Sequence, residues 1–210
     1  MRNVLARDPD NLFKQVLKEL RPVLKEEGFR ASSQNFVLES NECWAILNFQ
    51  KSRWSSPDEK TFYVNVAITA KRLLSFDDEP VEKAPAYYSC ISQARAEQFD
   101  PGCRVGQWTV RNDDDVSEVV AHLTNLLRRF VIPSVKSTMS EASLLSKWSG
   151  TDYRQLKART VLLAADGKLP ELRETISTLV ERFGNGVVSQ GVRDHLDRLR
   201  RRFPAAMRQI

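Results

Sequence analysis

The sequence is sparing with the residues that mark catalytic and metal centres. Its three cysteines, Cys43, Cys90 and Cys103, lie far apart and form no C-x-x-C, and only two histidines, His122 and His195, accompany them. A structural zinc site needs closely spaced ligand pairs, so this inventory argues against one. The same usage fits a chain whose thiols stay reduced in the cytoplasm. The eight glycines are scattered. No glycine-rich loop leads into a helix, which excludes the common phosphate cradle. Gly184-Asn185-Gly186 reads as a turn signal instead. No apolar run approaches the roughly 20 residues of a membrane span. The opening M-R-N-V-L-A-R-D-P-D lacks the apolar centre of a secretory signal. The expectation is therefore no membrane contact, no cofactor, no metal and no catalytic set.

What the chain does contain is ordinary for a globular protein: 210 residues, 41% hydrophobic and 28% charged. That length suits one large domain, or one domain with a helical appendage. The net charge of +5 is uneven. Residues 1–150 hold 20 Lys+Arg and 20 Asp+Glu, while residues 151–210 hold 12 and 7, so the whole excess lies in the second stretch. The division expected is a 1–150 α+β domain and a 151–210 helical extension packed on it.

The chain is organised around Cys43 to Thr69, two β-rich runs with a polar, Pro57-containing connection, which predicts a β-hairpin. Alternate residues share a face. Ala45, Leu47 and Phe49 form one apolar set, and Phe62, Val64, Val66 and Ile68 the other. Pairing Phe49 with Val66 and Leu47 with Ile68 brings the two sets together, with Ser55 to Lys60 as the loop. A one-residue slip would bury Asn48 and Gln50 in the core, so burial rejects it. The chosen pairing sets Gln50 opposite Asn65, Ser52 opposite Tyr63 and Asn48 opposite Ala67 on a second face that is polar and nearly uncharged. Lys51 and Arg53 fall near the tip on the apolar side, where their stems can cover the sheet edge.

Around the hairpin, Asp8-Pro9 opens a helix and Gly28-Phe29 closes it, with Leu12, Phe13, Val16, Leu17, Leu20 and Leu24 on one side. Pro22 inside it predicts a kink or a split. Asn35–Glu39 and Gln107–Arg111 read as strands. Between them residues 71–106 give the least pattern, with a short helix over Ile91–Phe99 the expectation. Asp113-Asp114-Asp115 reads as a helix start, Asp115 as the cap, rather than a metal cluster. Pro133 is expected to stop that helix. His122 lies beside its apolar stripe, a boundary residue with no evident partner. Helices follow over 133–139, 141–148 (ended by Gly150), 152–165, 170–183 and 190–203. The fold class is α+β: an N-terminal helix, a mostly antiparallel sheet of about four strands, and a helical C-terminal half.

With these elements placed, the chain from about residue 9 to 150 resembles a bacterial family, the domain of unknown function 4304. The likeness rests on the helix ending in Gly28-Phe29, on N-F-Q-K-S at Asn48 to Ser52, and on F-Y-V-N-V-A-I at Phe62 to Ile68. The Trp108 strand before an acidic helix start and the Pro133 beyond it complete it. The resemblance implies an α+β fold and a cytosolic bacterial protein, and supplies no activity, substrate or catalytic residue.

Two surfaces stand out for function. Asn48, Gln50, Ser52, Tyr63 and Asn65 offer several donors and acceptors on strands, which hold side chains more precisely than loops do. Trp54, Tyr63 and Trp108 add aromatic area near one end. Arg198, Arg201 and Arg202 on the last long helix form a basic stripe suited to phosphates or an acidic protein. A Cys90 or Cys103 paired with a histidine has no sequence context to support catalysis. The leading expectation is a non-catalytic binding or interaction protein with a protein partner, an immunity or regulatory role falling within that class. The alternative is nucleic-acid association through the arginines. Nothing in the sequence fixes the oligomeric state.

Overall fold

The computed structural model describes residues 8–148 and 151–210. Helix α1 (Pro9–Glu26) starts where Asp8 accepts a hydrogen bond from the Asp10 N–H at 3.0 Å. It buries all six of the apolar residues expected on one side, each worth about 1.5–3 kcal/mol when removed from water. The helix runs unbroken through Pro22, which lies on its exposed side, so the carbonyl deprived of a donor is not trapped in the core. At its end Gly28 adopts φ +93°, with Gly28 N–H on the Lys25 carbonyl and Phe29 N–H on the Leu24 carbonyl. This is the left-handed helix ending that glycine permits, and Phe29 folds back into the core.

Six strands form one antiparallel sheet: β1 (Arg30–Ser32), β2 (Asn35–Glu39), β3 (Cys43–Lys51), β4 (Lys60–Ala70), β5 (Ser92–Arg95) and β6 (Trp108–Val110). The order is β1-β2-β3-β4-β5, and β6 also pairs with β4, beside its first residues. The four strands expected are all present. β1 and β5 are additions, and Ser92–Arg95 corrects the helix expected over 91–99, of which a 3₁₀ turn at Ala96–Phe99 remains. The β3–β4 register differs from the expectation by two residues: Leu47 faces Val66, Phe49 faces Val64, Gln50 faces Tyr63 and Asn48 faces Asn65. A two-residue shift leaves every side chain on its face, so the apolar pattern cannot choose between the two registers. The turn can: Ser52 N–H bonds the Thr61 carbonyl at 2.8 Å, and the Ser55 hydroxyl accepts from Thr61 N–H at 3.1 Å, closing the connection at residues 52–59.

On the core face α1 packs with Phe13 edge-on to Phe62 at 5.1 Å, and Phe62 stacks on Trp108 at 6.1 Å. Lys51 reaches over the Phe13 ring to Asp10 at 2.7 Å, as its place near the hairpin tip implied. After β4 come α2 (Lys71–Phe76) and an irregular stretch to β5. Helix α3 (Asp113–Leu126) is capped by Asn112, which accepts from Asp115 N–H at 2.9 Å. Asp115 is thus not the cap; it accepts from Arg111 N–H at 2.7 Å, tightening the same corner from inside the helix. Pro133 does not stop the helix. A π turn over Leu127–Val131 shifts the hydrogen-bond register first, and the proline then enters at the start of α4 (Ile132–Lys136). Gly150, expected to end α5 (Glu141–Lys147), lies outside the described residues, as do the side chains of Asp113 and Asp114.

The C-terminal part is helical: α6 (Tyr153–Ala165), α7 (Leu169–Phe183), α8 (Ser189–Arg202) and the single turn α9 (Pro204–Met207). α6 is buried on nearly every side, because it lies between the sheet body and α7 and α8. One apolar cluster runs from Leu12 through the sheet to Leu162, Leu172 and Leu199. Among the described residues no helix is long and apolar enough to cross a membrane.

Candidate functional site

On the second sheet face the register aligns Asn35, Asn48, Asn65 and Arg95 in one row across β2, β3, β4 and β5. Directly opposed side chains stand close enough to bond, and the amides do. Asn48 Nδ2 donates to Asn35 Oδ1 at 2.7 Å, and Asn65 Nδ2 donates to Asn48 Oδ1 at 2.9 Å and to Gln50 Oε1 at 3.0 Å. The Tyr87 hydroxyl also donates to Gln50 Oε1, at 3.0 Å. Asn48 is 3% exposed and Asn65 7%. The centre of this face is therefore covered rather than solvated. Its cover is the stretch between α2 and β5. Cys90 and Tyr87 pack on Ile46 and Ala67, and the Val81 carbonyl accepts from Trp44 Nε1 at 3.0 Å.

The row ends differently at β5. The Arg95 guanidinium lies 4.2 Å over the Tyr63 ring, and its Nη1 is buried without a hydrogen-bond partner among the described residues. Beside it an open groove of about 320 Å³ is lined by Gln50, Asn65, Tyr87, Gln93 and Gln98. A planar cation held flat on an aromatic ring presents its edge donors in a fixed direction. The neighbouring carboxamides supply both donors and acceptors. The arrangement suits recognition of a carboxylate or a main-chain carbonyl. It holds no nucleophile.

The family model for the domain of unknown function (DUF4304) matches residues 20–137. The chain belongs to this family. No curated protein and no solved structure matches it. The DUF4304 region thus contains the whole sheet, the row and the groove, while α5 to α9 lie beyond it.

The other expected residues are placed as follows. Ser52 sits at the hairpin tip, where its hydroxyl accepts from Trp54 N–H at 3.2 Å, and Trp54 is 87% exposed. Neither joins the amide row. Trp108 is core, and its indole donates to His122 Nδ1 at 2.9 Å, the partner the sequence did not reveal. In the tail, Arg198 bonds Asp77 at 2.8 Å and Arg202 pairs with Asp78, so two of the three arginines fasten α8 to the end of α2. Arg201 is exposed. Burial pushes the Cys43 and Cys90 thiols up to about 12, far from the thiolate that catalysis needs. Among the described residues no group of three His, Cys, Asp or Glu is placed to hold a metal ion.

Of the residues lining the DUF4304 groove, sequence reasoning named Gln50 and Asn65 and missed Tyr87, Gln93, Gln98 and, above all, Arg95. The stretch S-Q-A-R has no apolar alternation, so its strand went unread and its register with Asn65 was invisible. The only available signal was an arginine four residues before an aromatic, Phe99, in a segment without pattern.

Proposed function

We propose that this DUF4304 protein is a cytoplasmic bacterial binding protein without catalytic activity, and that it grips an extended acidic segment of a partner protein in the groove at the β5 edge. The observation that carries this reading is Arg95: a guanidinium fixed on Tyr63, with a buried Nη1 that no described residue satisfies. A buried donor left unpaired costs about 1–3 kcal/mol, and Arg95 also lines the groove, where a partner carboxylate would meet the guanidinium and offset its charge. Gln93 Nε2, Gln98 Oε1 and Gln50 Oε1 are already bonded within the fold, so what these carboxamides offer a main chain is the Gln93 carbonyl oxygen and the Gln50 and Gln98 N–H groups, without adding charge of their own. An immunity or regulatory role follows from the same chemistry, since such proteins act by occupying a partner rather than transforming it.

Affinity capture with three immobilised proteins tests it: the wild type, Arg95→Met and Arg201→Ala. The expected result is a partner held by the wild type and by Arg201→Ala but lost from Arg95→Met. Equal capture by all three would place the interface elsewhere. Loss with Arg201→Ala alone, with strong salt dependence, would favour phosphate contacts by the tail instead.

A further inference from the structure

A second cavity opens where the tail meets the sheet body, on the other side of the stretch that carries Tyr87 and Gln93. It measures about 180 Å³ and lies between α2, the turn at residues 87–91, α6 and α8. Leu73, Ile91, Ala158 and Val161 give it an apolar side, while Asp77, Ser89, Arg154, Lys157 and His195 make the rest of its lining polar. Each charged group beside it but one is already engaged. Arg154 Nη2 donates to the carbonyls of Ser89 at 3.1 Å and Cys90 at 3.0 Å, pinning the turn. Asp77 is bonded to Arg198 at 2.8 Å. His195 Nε2 lies 2.8 Å from the Thr160 hydroxyl, and burial beside the positive Lys157 holds its pKa down to about 3, so it is neutral.

Lys157 is the exception. Its stem lies against Tyr153, with Nζ 5.3 Å from the ring centroid, and no carboxylate among the described residues comes within ion-pair distance of it. Burial pushes its pKa down. Asp77 and Asp194 act on it only from beyond ion-pair distance, and Asp77 is shared with Arg198, so the partly desolvated ammonium keeps its donors for a small anion on the apolar side of the cavity. We infer that this cavity binds a small monocarboxylic acid, with its carboxylate on the Lys157 ammonium and its hydrocarbon part against Leu73, Ile91 and Val161. One charge matches one unpaired cation. A phosphate dianion fits poorly, because Asp77 lines the same cavity and Arg154 is committed to main-chain carbonyls. The volume lies below the roughly 300–1,000 Å³ of drug-sized sites, which limits the occupant to a short chain. Such a ligand touches both the body and the tail, so binding stabilises their contact by mass action.

Hexanoate is the probe, with hexanamide and inorganic phosphate as comparisons, added to the full-length protein. The expected result is a saturable rise in melting temperature with hexanoate, and amide-resonance shifts at Ile91, Val161 and His195. Hexanamide should bind at least about tenfold more weakly, as should hexanoate to Lys157→Met. The acid–amide comparison on the wild type needs no variant, so it stands even if Lys157→Met folds poorly. No saturable response to hexanoate up to about 20 mM, equal binding of acid and amide, or preference for phosphate would overturn the inference.

Discussion

Replacing Asn65 by leucine tests the amide row where its consequences are largest. The side chain is 7% exposed, and its Nδ2 serves two acceptors, Asn48 Oδ1 and Gln50 Oε1. Leucine fills similar space without donating. Asn48, 3% exposed, then loses the donor to its Oδ1, a desolvated orphan costing about 1–3 kcal/mol. Gln50 suffers less, because the Tyr87 hydroxyl still donates to the same oxygen. That loss is about 0.5–1.5 kcal/mol. Burying the leucine methyls returns about 1 kcal/mol. The net is a destabilisation of about 2 kcal/mol, or about 4–8 °C in melting temperature for a chain this long. Urea unfolding gives the free energy, and an unchanged m value shows that the denatured state is not the cause. The double variant Asn48→Leu, Asn65→Leu removes both ends of the central bond, so it should cost about 1–2 kcal/mol less than the sum of the singles. A neutral Asn65→Leu, or strict additivity, would refute the row as a bonded unit.

The remaining expectations concern separate parts of the fold. Gly28→Ala should cost about 1–2 kcal/mol by thermal unfolding, because φ is +93° and the new Cβ would stand 3.3 Å from Leu38 Cδ1. In a thiol titration near neutral pH only Cys103 should react in the folded protein; Cys43 and Cys90, with pKa values of about 12, should appear only after denaturant is added. His195 is held neutral by burial, its pKa lowered from 6.5 to about 3, so the unfolded chain binds more protons between those values and stability falls as pH drops through that window. The slope from this one group approaches ~1.4 kcal/mol per pH unit, and His195→Gln should flatten it in urea titrations at pH 7 and pH 5. Trp54→Ser, at an 87% exposed position, should change stability by less than about 0.5 kcal/mol.

Several features fixed by local chemistry were legible in the sequence, though not the cap of α3, where Asn112 serves in place of Asp115. Asp8-Pro9 and Gly28-Phe29 bound α1 as read, because caps and left-handed endings act within a few residues. Features decided by distant partners were not. Ser92–Arg95 is a strand only because β4 offers its edge. Pro133 passes inside a helical run because the preceding π turn takes up the register change. The hairpin shift by two residues was settled by Ser52, Ser55 and Thr61 at the tip, which burial parity does not sense.

Parity does tell which side chains share a face, and here it held: Leu47 and Val66 turn to the core together, and Asn48 and Asn65 turn away together. It says nothing of what lies above the second face. The stretch between α2 and β5, the least patterned in the sequence, lies there, with Val81, Tyr87 and Cys90 against Trp44, Gln50 and Ile46. Once covered, the amides must satisfy one another, and those that do have little left for a ligand. In the proposed reading the contact with a partner falls to the last member of the row, Arg95, where the cover ends and a charged side chain lines an open groove. A residue's readiness to bind a partner is thus set less by its own polarity than by whether the fold has already used it.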